Sequence, residues 1–432
     1  MIINYSICNF RSFRNPSKLT LQATSQTTFN DNLIRNNGLR ILPSAIIYGA
    51  NASGKSNIIS SISILREIVI AGSISTNYFH DLELYPFAHC NEIGPICFDI
   101  EFINNKRHMR YRLNINVGCF EKIQRSIEFE SLDLYTSKNK TINLFTREKN
   151  EIFLPSDEKA KSLIGLENDT ISVIIDKLNL NLDPVELFLA RGFKSFINSD
   201  YADTVIDFFS NKLYVITDFT LKSASIKITS DSKINPNFSM WNDLLEGFVK
   251  GADFGPQKIR FLSKESSDDH SADMELFSIY PYKDSTIRVP AQLMESRGTL
   301  KLIDFAIAFQ SFFKDGCSFI FDEFDAALHP ELVKGIISVF HNQEINANGS
   351  QLIFSTHNPI YLNNKIFRRD QILFTEKDKN SFESTLYSLA DFGSVDVRND
   401  ENYLINYFKG KYSSLPYIDF AKILSLKKEG EN

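Results

Sequence analysis

Apolar positions along the chain change period several times, and each change marks an element. "MIINYSICNFRSF" and "SKLTLQA" alternate in strand fashion on either side of Asn15-Pro16, so the N-terminus reads as two short strands. A third apolar run, "SAIIYG", ends at Gly49 and opens into "GANASGKSN". Ile58, Ile59, Ile62, Leu65, Ile68 and Val69 then recur at helical spacing until Gly72 stops them, which completes a strand–Gly-rich loop–helix unit. "ICFDIEFIN" and "MRYRLNINV" read as a hairpin, with "IQRSIEFESLDLY" behind it.

From about 135 to 285 the pattern loosens. Helix-like stretches such as "DPVELFLARGFKSFI" and "ADTVIDFFSNKL" alternate with polar segments. One of these, "KESSDDHSADME" (264–275), has the composition of a solvated loop rather than of a metal cluster. The chain shows no sustained heptad and no internal repeat. Order returns after 286, where "GTLKLIDFAIAFQSFF" is amphipathic, "CSFIFDE" is a buried-strand run ending in two acids, "PELVKGIISVFHNQ" is a helix and "SQLIFSTHN" a second buried strand ending in a histidine. Strands alternating with helices predict an α/β fold with a mixed, largely parallel sheet. The expected organisation is a lobe over 1–134 that carries the Gly-rich loop, an inserted, mainly helical lid over 135–285, a second lobe over 286–380 and a C-terminal extension over 381–432 that ends in a frayed tail, "LKKEGEN".

Composition narrows the classes. A chain of 432 residues with 43% hydrophobic and 23% charged residues has ample core for two or three domains, or for one large domain with an insertion. The net charge of −6 supplies no global basic field. A local groove for nucleic acid stays open, but charge does not indicate one. The five cysteines form no C-x-x-C pair, which suits free thiols in a reducing cytosol. With no uninterrupted apolar run of 18 residues, no membrane span is expected, and the reading is a soluble cytoplasmic protein.

Gly49-Ala50-Asn51-Ala52-Ser53-Gly54-Lys55-Ser56 fits G-x-x-x-x-G-K-[ST] without a mismatch, with Asn57 following. Glycines at these positions let successive N–H groups turn toward phosphate oxygens, and the helix behind presents its positive end to the same anion. Lys55 is placed to reach the β- and γ-phosphates of ATP and Ser56 to ligate Mg²⁺. Asp322, at the end of "CSFIF", suits a carboxylate that reaches Mg²⁺ directly or through water, and Glu323 is the natural general base for an attacking water. His357 ends the next apolar strand; if the strands run parallel, it lies at the same sheet edge, where such folds bind ligands. "DFG" at 391–393 lacks the other kinase motifs, His329 in "AALHP" shapes the turn into the next helix, and scattered histidines without Cys pairs do not make a zinc site.

The order of "ICNFRSF", "GANASGKSN", a long insertion, "ESRGT", "FIFDEFDAALHP" and "STHN" resembles ABC-type ATPases of the SMC/RecF branch. It is most similar to compact AAA/OLD-like ATPase subunits of bacterial anti-phage systems such as PARIS and Septu. The resemblance covers residues 1–72 and 286–375 well and the middle hardly at all. It implies that "ESRGT" is the signature motif, so that Ser296, Arg297 and Gly298 contact the nucleotide of a partner subunit, with Ser296 donating to the γ-phosphate. Arg297 departs from the glycine of transporter-type signatures. Asp325 falls in the D-loop region, and Gln124 is a candidate Q-loop residue. In SMC-like proteins a coiled coil fills the interval between P-loop and signature; here Lys55 and Asp322 are 267 residues apart without heptads, so a globular or helical lid is expected.

The function implied is an ATPase whose homo-oligomeric, nucleotide-sandwich unit controls a separate effector or nuclease in anti-phage defence. Only 75 residues follow His357, too few for a Toprim nuclease domain, so any nuclease is expected on another chain. A RecF-like DNA-binding repair ATPase is the alternative, and it calls for salt-sensitive duplex binding. A transporter subunit fits least.

Overall fold

In the computed structural model the described residues are 1–75, 83–87, 94–119, 122–136, 140–165, 171–217, 225–229, 239–240, 247, 258–263, 271–283, 285–393, 397–398 and 401–413. Its centre is a six-stranded sheet in the order Leu213–Ile216, Ser318–Phe321, Gln351–Ser355, Ser44–Gly49, Ile372–Lys377, Ser384–Ser388. The first five strands are mutually parallel and the sixth is antiparallel at the edge. Every residue of the Ser44–Gly49, Ser318–Phe321 and Gln351–Ser355 strands is buried, as expected of parallel strands covered on both faces.

Because side chains alternate across a strand, the two faces feed two cores. Ala45, Ile47, Ile320, Ile353 and Leu373 pack with Ile58, Ile62 and Leu65 of the Lys55–Ala71 helix. Ile46, Tyr48, Phe319, Phe321 and Phe354 pack instead with Leu302, Phe305 and Phe309 of the Arg297–Phe312 helix and with Val333 and Ile336 of the Pro330–His341 helix. Much of the chain's phenylalanine is spent on this second core: Phe305, Phe321 and Phe324 contact one another with centroids 4.9–5.9 Å apart. Such aromatic pairs add packing energy beyond area alone, about 0.5–1.5 kcal/mol each.

The N-terminal strands Ile2–Cys8 and Ser17–Thr20 close a seven-stranded antiparallel sheet that runs through Ile96–Asn104, Arg107–Cys119, Lys122–Tyr135 and Thr141–Glu148 to Glu151–Phe153. The hairpin read at 96–117 is therefore present, but the sheet continues past the expected boundary at 134. Buried Gln351 joins the two sheets: its side chain accepts from Ile2 N at 2.7 Å and donates to Ile2 O at 2.9 Å.

The 135–285 segment carries more strand than its pattern suggests. Helical structure occupies stretches between Glu158 and Lys212, in part as π-helix over Leu189–Ile197 and Phe208–Lys212. Leu213–Ile216 then enters the central sheet, and Ser225–Thr229, Ser239–Met240, Lys258–Ser263, Ser271–Tyr282 and Ser285–Pro290 build an antiparallel sheet of their own. Four-residue "LYVI" is too short to show a period, and it became a strand only because an unpaired edge at Ser318–Phe321 was available. Of the expected loop at 264–275, residues 271–275 lie in a strand and 264–270 fall outside the described residues, as do Cys90, Trp241 and the C-terminal tail. Among the described residues no helix is long and apolar enough to cross a membrane.

Candidate active site

Parallel pairing brings the C-terminal ends of three strands to one edge. Gly49, Asp322 and Thr356 end or follow strands that are neighbours in the sheet, so the loop at 49–56, the 322–328 turn and His357 emerge side by side. In the loop, Lys55 is 5% exposed and donates through Nζ to the carbonyls of Gly49 and Ala50, at 2.8 and 3.0 Å. Ser53 Oγ bonds Thr375 Oγ1 at 2.6 Å. Gly49 is obligatory by contact: a Cβ there would stand 2.4 Å from Ser53 Oγ and 2.5 Å from Thr375 O. Gly54 combines a φ of +116° with Phe13 at 3.0 Å from a hypothetical Cβ. Asn51, Ala52 and Ser56 are exposed, and no side chain caps the helix that starts at Lys55. Its N-terminus therefore has no side-chain acceptor of its own, an arrangement suited to an anion.

The N-terminal "FRSF" packs against this loop. Asn57 Nδ2 donates to Ser12 Oγ at 2.8 Å, Arg11 reaches Asn57 Oδ1 at 3.5 Å, and Ser384 N donates to Ser12 O at 2.7 Å.

Ser355 organises the acids. Its hydroxyl donates to Asp322 Oδ1 and accepts from Glu323 N at 2.8 Å, so one side chain fixes the carboxylate of the first acid and the backbone of the second. Glu323 has φ 46° and Ala327 φ 66°, both left-handed. The Glu323 carboxylate is exposed and lies 3.5 Å from His357 Nε2. Together with Asp325, Ala326 and Asn358 they line an open cleft of about 300 Å³. Burial lowers the Lys55 pKa to about 8, against the opposing pull of Asp322 and Glu323. His357 is lowered by burial and then by Lys55, which favours a neutral imidazole beside the glutamate. Asp325 is raised by burial, partly offset by its hydrogen bond with Thr356.

"ESRGT" lies where the antiparallel insertion sheet meets the central one. Ser296 is the N-cap of the Arg297–Phe312 helix, accepting from Thr299 N at 3.1 Å. Glu295 Oε1 accepts from Ser278 Oγ at 2.6 Å and Tyr280 OH at 2.8 Å, which anchors the loop to the insertion. Gly298 presses on the 322–328 turn: a Cβ would stand 2.2 Å from Ala327 O. Ser296 and Arg297 are exposed, and among the described residues no hydrogen bond or ion pair joins them to the loop at 49–56. The structure therefore gathers Lys55, Asp322, Glu323 and His357 within one chain and leaves Ser296 and Arg297 facing outward.

Sequence reasoning missed Ser355, Thr375 and Lys301. The first two are hydroxyls that close the apolar runs "QLIF" and "ILF", Ser355 at the end of its strand and Thr375 inside its own; a polar residue closing an apolar run was the available signal. Lys301 is a buried cation in an apolar helix, and its Nζ donates to Glu323 O at 2.6 Å and Ala326 O at 3.2 Å. His329 caps the Pro330–His341 helix, accepting from Glu331 N at 3.3 Å, as its place before proline suggested. Gln124 lies in the Lys122–Tyr135 strand with its side chain outside the described set.

The donor set fits Mg²⁺ bound with a nucleotide. Mg²⁺ is usually held by one or two carboxylates, a hydroxyl, waters and substrate phosphates rather than by an all-protein cage. Ser56 and Asp322 are of that kind, and among the described residues no cluster of three or more His, Cys, Asp or Glu side chains offers a cage.

The family model described as "AAA domain, putative AbiEii toxin, Type IV TA system" matches residues 44–363, which spans the loop at 49–56, the insertion, "ESRGT", the two acids and His357. No curated protein matches the chain. Solved structures to which it is similar include the SMC head domain from Thermotoga maritima, at 14% identity and TM-score 0.36 over 90% of this chain and 98% of that one. An Smc head with an extended coiled coil, bound to the C-terminal domain of ScpA derived from Pyrococcus furiosus, gives 14% and 0.39 over 90% and 96%.

Proposed function

The chain belongs to the AAA-domain family whose model it matches from Ser44 to Asn363, and on that premise we propose that it is an ATPase working as a pair of chains. ATP lies with its phosphates over the amides of 51–57 and against Lys55. Ser56 and Asp322 would hold a Mg²⁺ brought in with the nucleotide, and that ion would supply neutralisation of the phosphate charge. Glu323 takes a proton from the attacking water as the new P–O bond forms at the γ-phosphorus and the bond to the bridging oxygen breaks, releasing ADP and phosphate. His357, neutral and 3.5 Å from Glu323, orients that carboxylate and the water. Ser296, Arg297 and Gly298 of a second copy complete the site, and the ATP state of the pair holds or releases an effector protein. The family's description names a toxin and a toxin–antitoxin system, which supports a role in anti-phage defence.

The observation that carries the reading is the Ser355 bridge, which holds the Asp322 carboxylate and the Glu323 backbone together, with both acids close enough to act on Lys55. Glu323→Gln tests it. Nucleotide binding is expected to remain, while turnover falls by ~10²–10⁴-fold, the usual share of a general base. Hydrolysis at near the wild-type rate would remove Glu323 from the mechanism.

A further inference from the structure

Lys301 lies on a helix whose Leu300, Leu302, Ile303 and Phe305 are all buried, and it is itself only 7% exposed. An ammonium taken out of water is costly unless its N–H groups find acceptors. Here the acceptors are main-chain carbonyls of the catalytic turn, Glu323 O at 2.6 Å and Ala326 O at 3.2 Å. That turn is strained. Two non-glycine residues in five, Glu323 and Ala327, have positive φ, each costing about 1–3 kcal/mol, and such backbones persist only where surroundings over-determine them. Inside the turn, Ala326 N donates to Glu323 O at 3.1 Å and Leu328 N to Asp325 O at 3.0 Å. Gly298, one turn earlier on the same helix, packs against Ala327 O. One helix therefore touches three carbonyls of the turn.

We propose that Lys301 is a positioning residue for hydrolysis: by bonding the carbonyls of Glu323 and Ala326 it fixes the backbone from which the Glu323 carboxylate is aimed, and ties that backbone to the helix capped by Ser296. Lys301 touches neither nucleotide nor water; it acts through Glu323. This role rests on the ATPase reading above. It adds a consequence, because the Ser296 end of the helix serves the partner's nucleotide while Lys301 holds the turn serving its own. A shift of this helix on binding a second chain is transmitted to the base of the first.

The test uses the full chain with Lys301→Met, which keeps the length and apolar stem, and Lys301→Arg, which keeps the donors. Affinity is read with a fluorescent non-hydrolysable ATP analogue, turnover by phosphate release, and turn mobility by amide hydrogen exchange. For Lys301→Met we expect affinity within twofold of wild type and kcat reduced at least tenfold. Exchange at Ala326 and Leu328 should be at least tenfold faster, with the Lys55–Ala71 helix unchanged. Lys301→Arg should recover at least a third of the wild-type rate. A Met variant turning over within threefold of wild type, faster exchange spread over the whole molecule, or an Arg variant no better than Met would each overturn the proposal. If the wild-type chain hydrolyses no ATP, the ATPase reading falls by itself. The exchange comparison then still decides whether Lys301 holds the turn.

Discussion

Gly298 sets two physical effects against each other, and Gly298→Ala shows which is larger. It sits in the first turn of the Arg297–Phe312 helix, where alanine is favoured over glycine by about 1 kcal/mol on propensity alone. The added Cβ, however, would stand 2.2 Å from the carbonyl oxygen of Ala327, while ordinary contact begins near 3.4 Å. Helix or turn must retreat by about 1 Å. Both are backbone, so neither can yield by a rotamer change, and overpacking of this kind costs about 1–3 kcal/mol. The difference is a net destabilisation of about 0–2 kcal/mol, so a melting temperature lower by no more than a few degrees is expected. The effect on activity is expected to be larger, because a 1 Å displacement of reacting groups can cost about 10²-fold. The assay is steady-state phosphate release beside a thermal melt, with Gly335→Ala as control, since a Cβ at Gly335 meets nothing within 4 Å. Turnover of Gly298→Ala within threefold of wild type would refute the reasoning that the helix and the 322–328 turn are in fixed register.

Two further outcomes follow from other parts of the molecule. Lys55→Ala and Ser296→Arg chains should each be inactive alone, but a mixture should regain activity, since one site of a mixed pair has both an intact Lys55 and an intact Ser296; no recovery in a sample shown to have mixed would argue for a self-contained site. Burial lowers His341 from 6.5 to about 4, with Nε2 bonded to Ser44 Oγ at 2.7 Å. The unfolded chain then binds the extra proton first, so stability is full above pH 6.5 and declines toward pH 4 by about 1.4 kcal/mol per unit. Melting curves of His341→Gln should be flatter over that window, and an unchanged acid slope would remove His341 as its source.

Local chemistry was readable from the residues alone. "GANASGKSN" needs only its own glycines, its lysine and the following helix to define an anion site, and strand runs such as "SAIIYG", "CSFIF" and "QLIFS" are apolar throughout because both faces are covered. The antiparallel sheet inside 135–285 was not readable. Its strands are irregular in period, and their partners lie up to 50 residues away, as Ser225 with Glu275.

What the sequence determined by itself was therefore the set of chemical groups: a lysine and a serine behind a phosphate loop, two acids at a strand end, a histidine at the next, and an amphipathic helix behind "ESRGT". What only the tertiary structure decided was their coupling. Parallel pairing of Ser318–Phe321 with Gln351–Ser355 puts Ser355 against Asp322 and Glu323, although the serine comes more than thirty residues later in the chain. The burial of Lys301 against the 322–328 turn depends on a helix packed in the second core. Hydrogen bonds of this kind join residues with no local relation in sequence, and no period or motif encodes them. They exist because a buried donor must find an acceptor once hydrophobic packing has fixed where the elements lie.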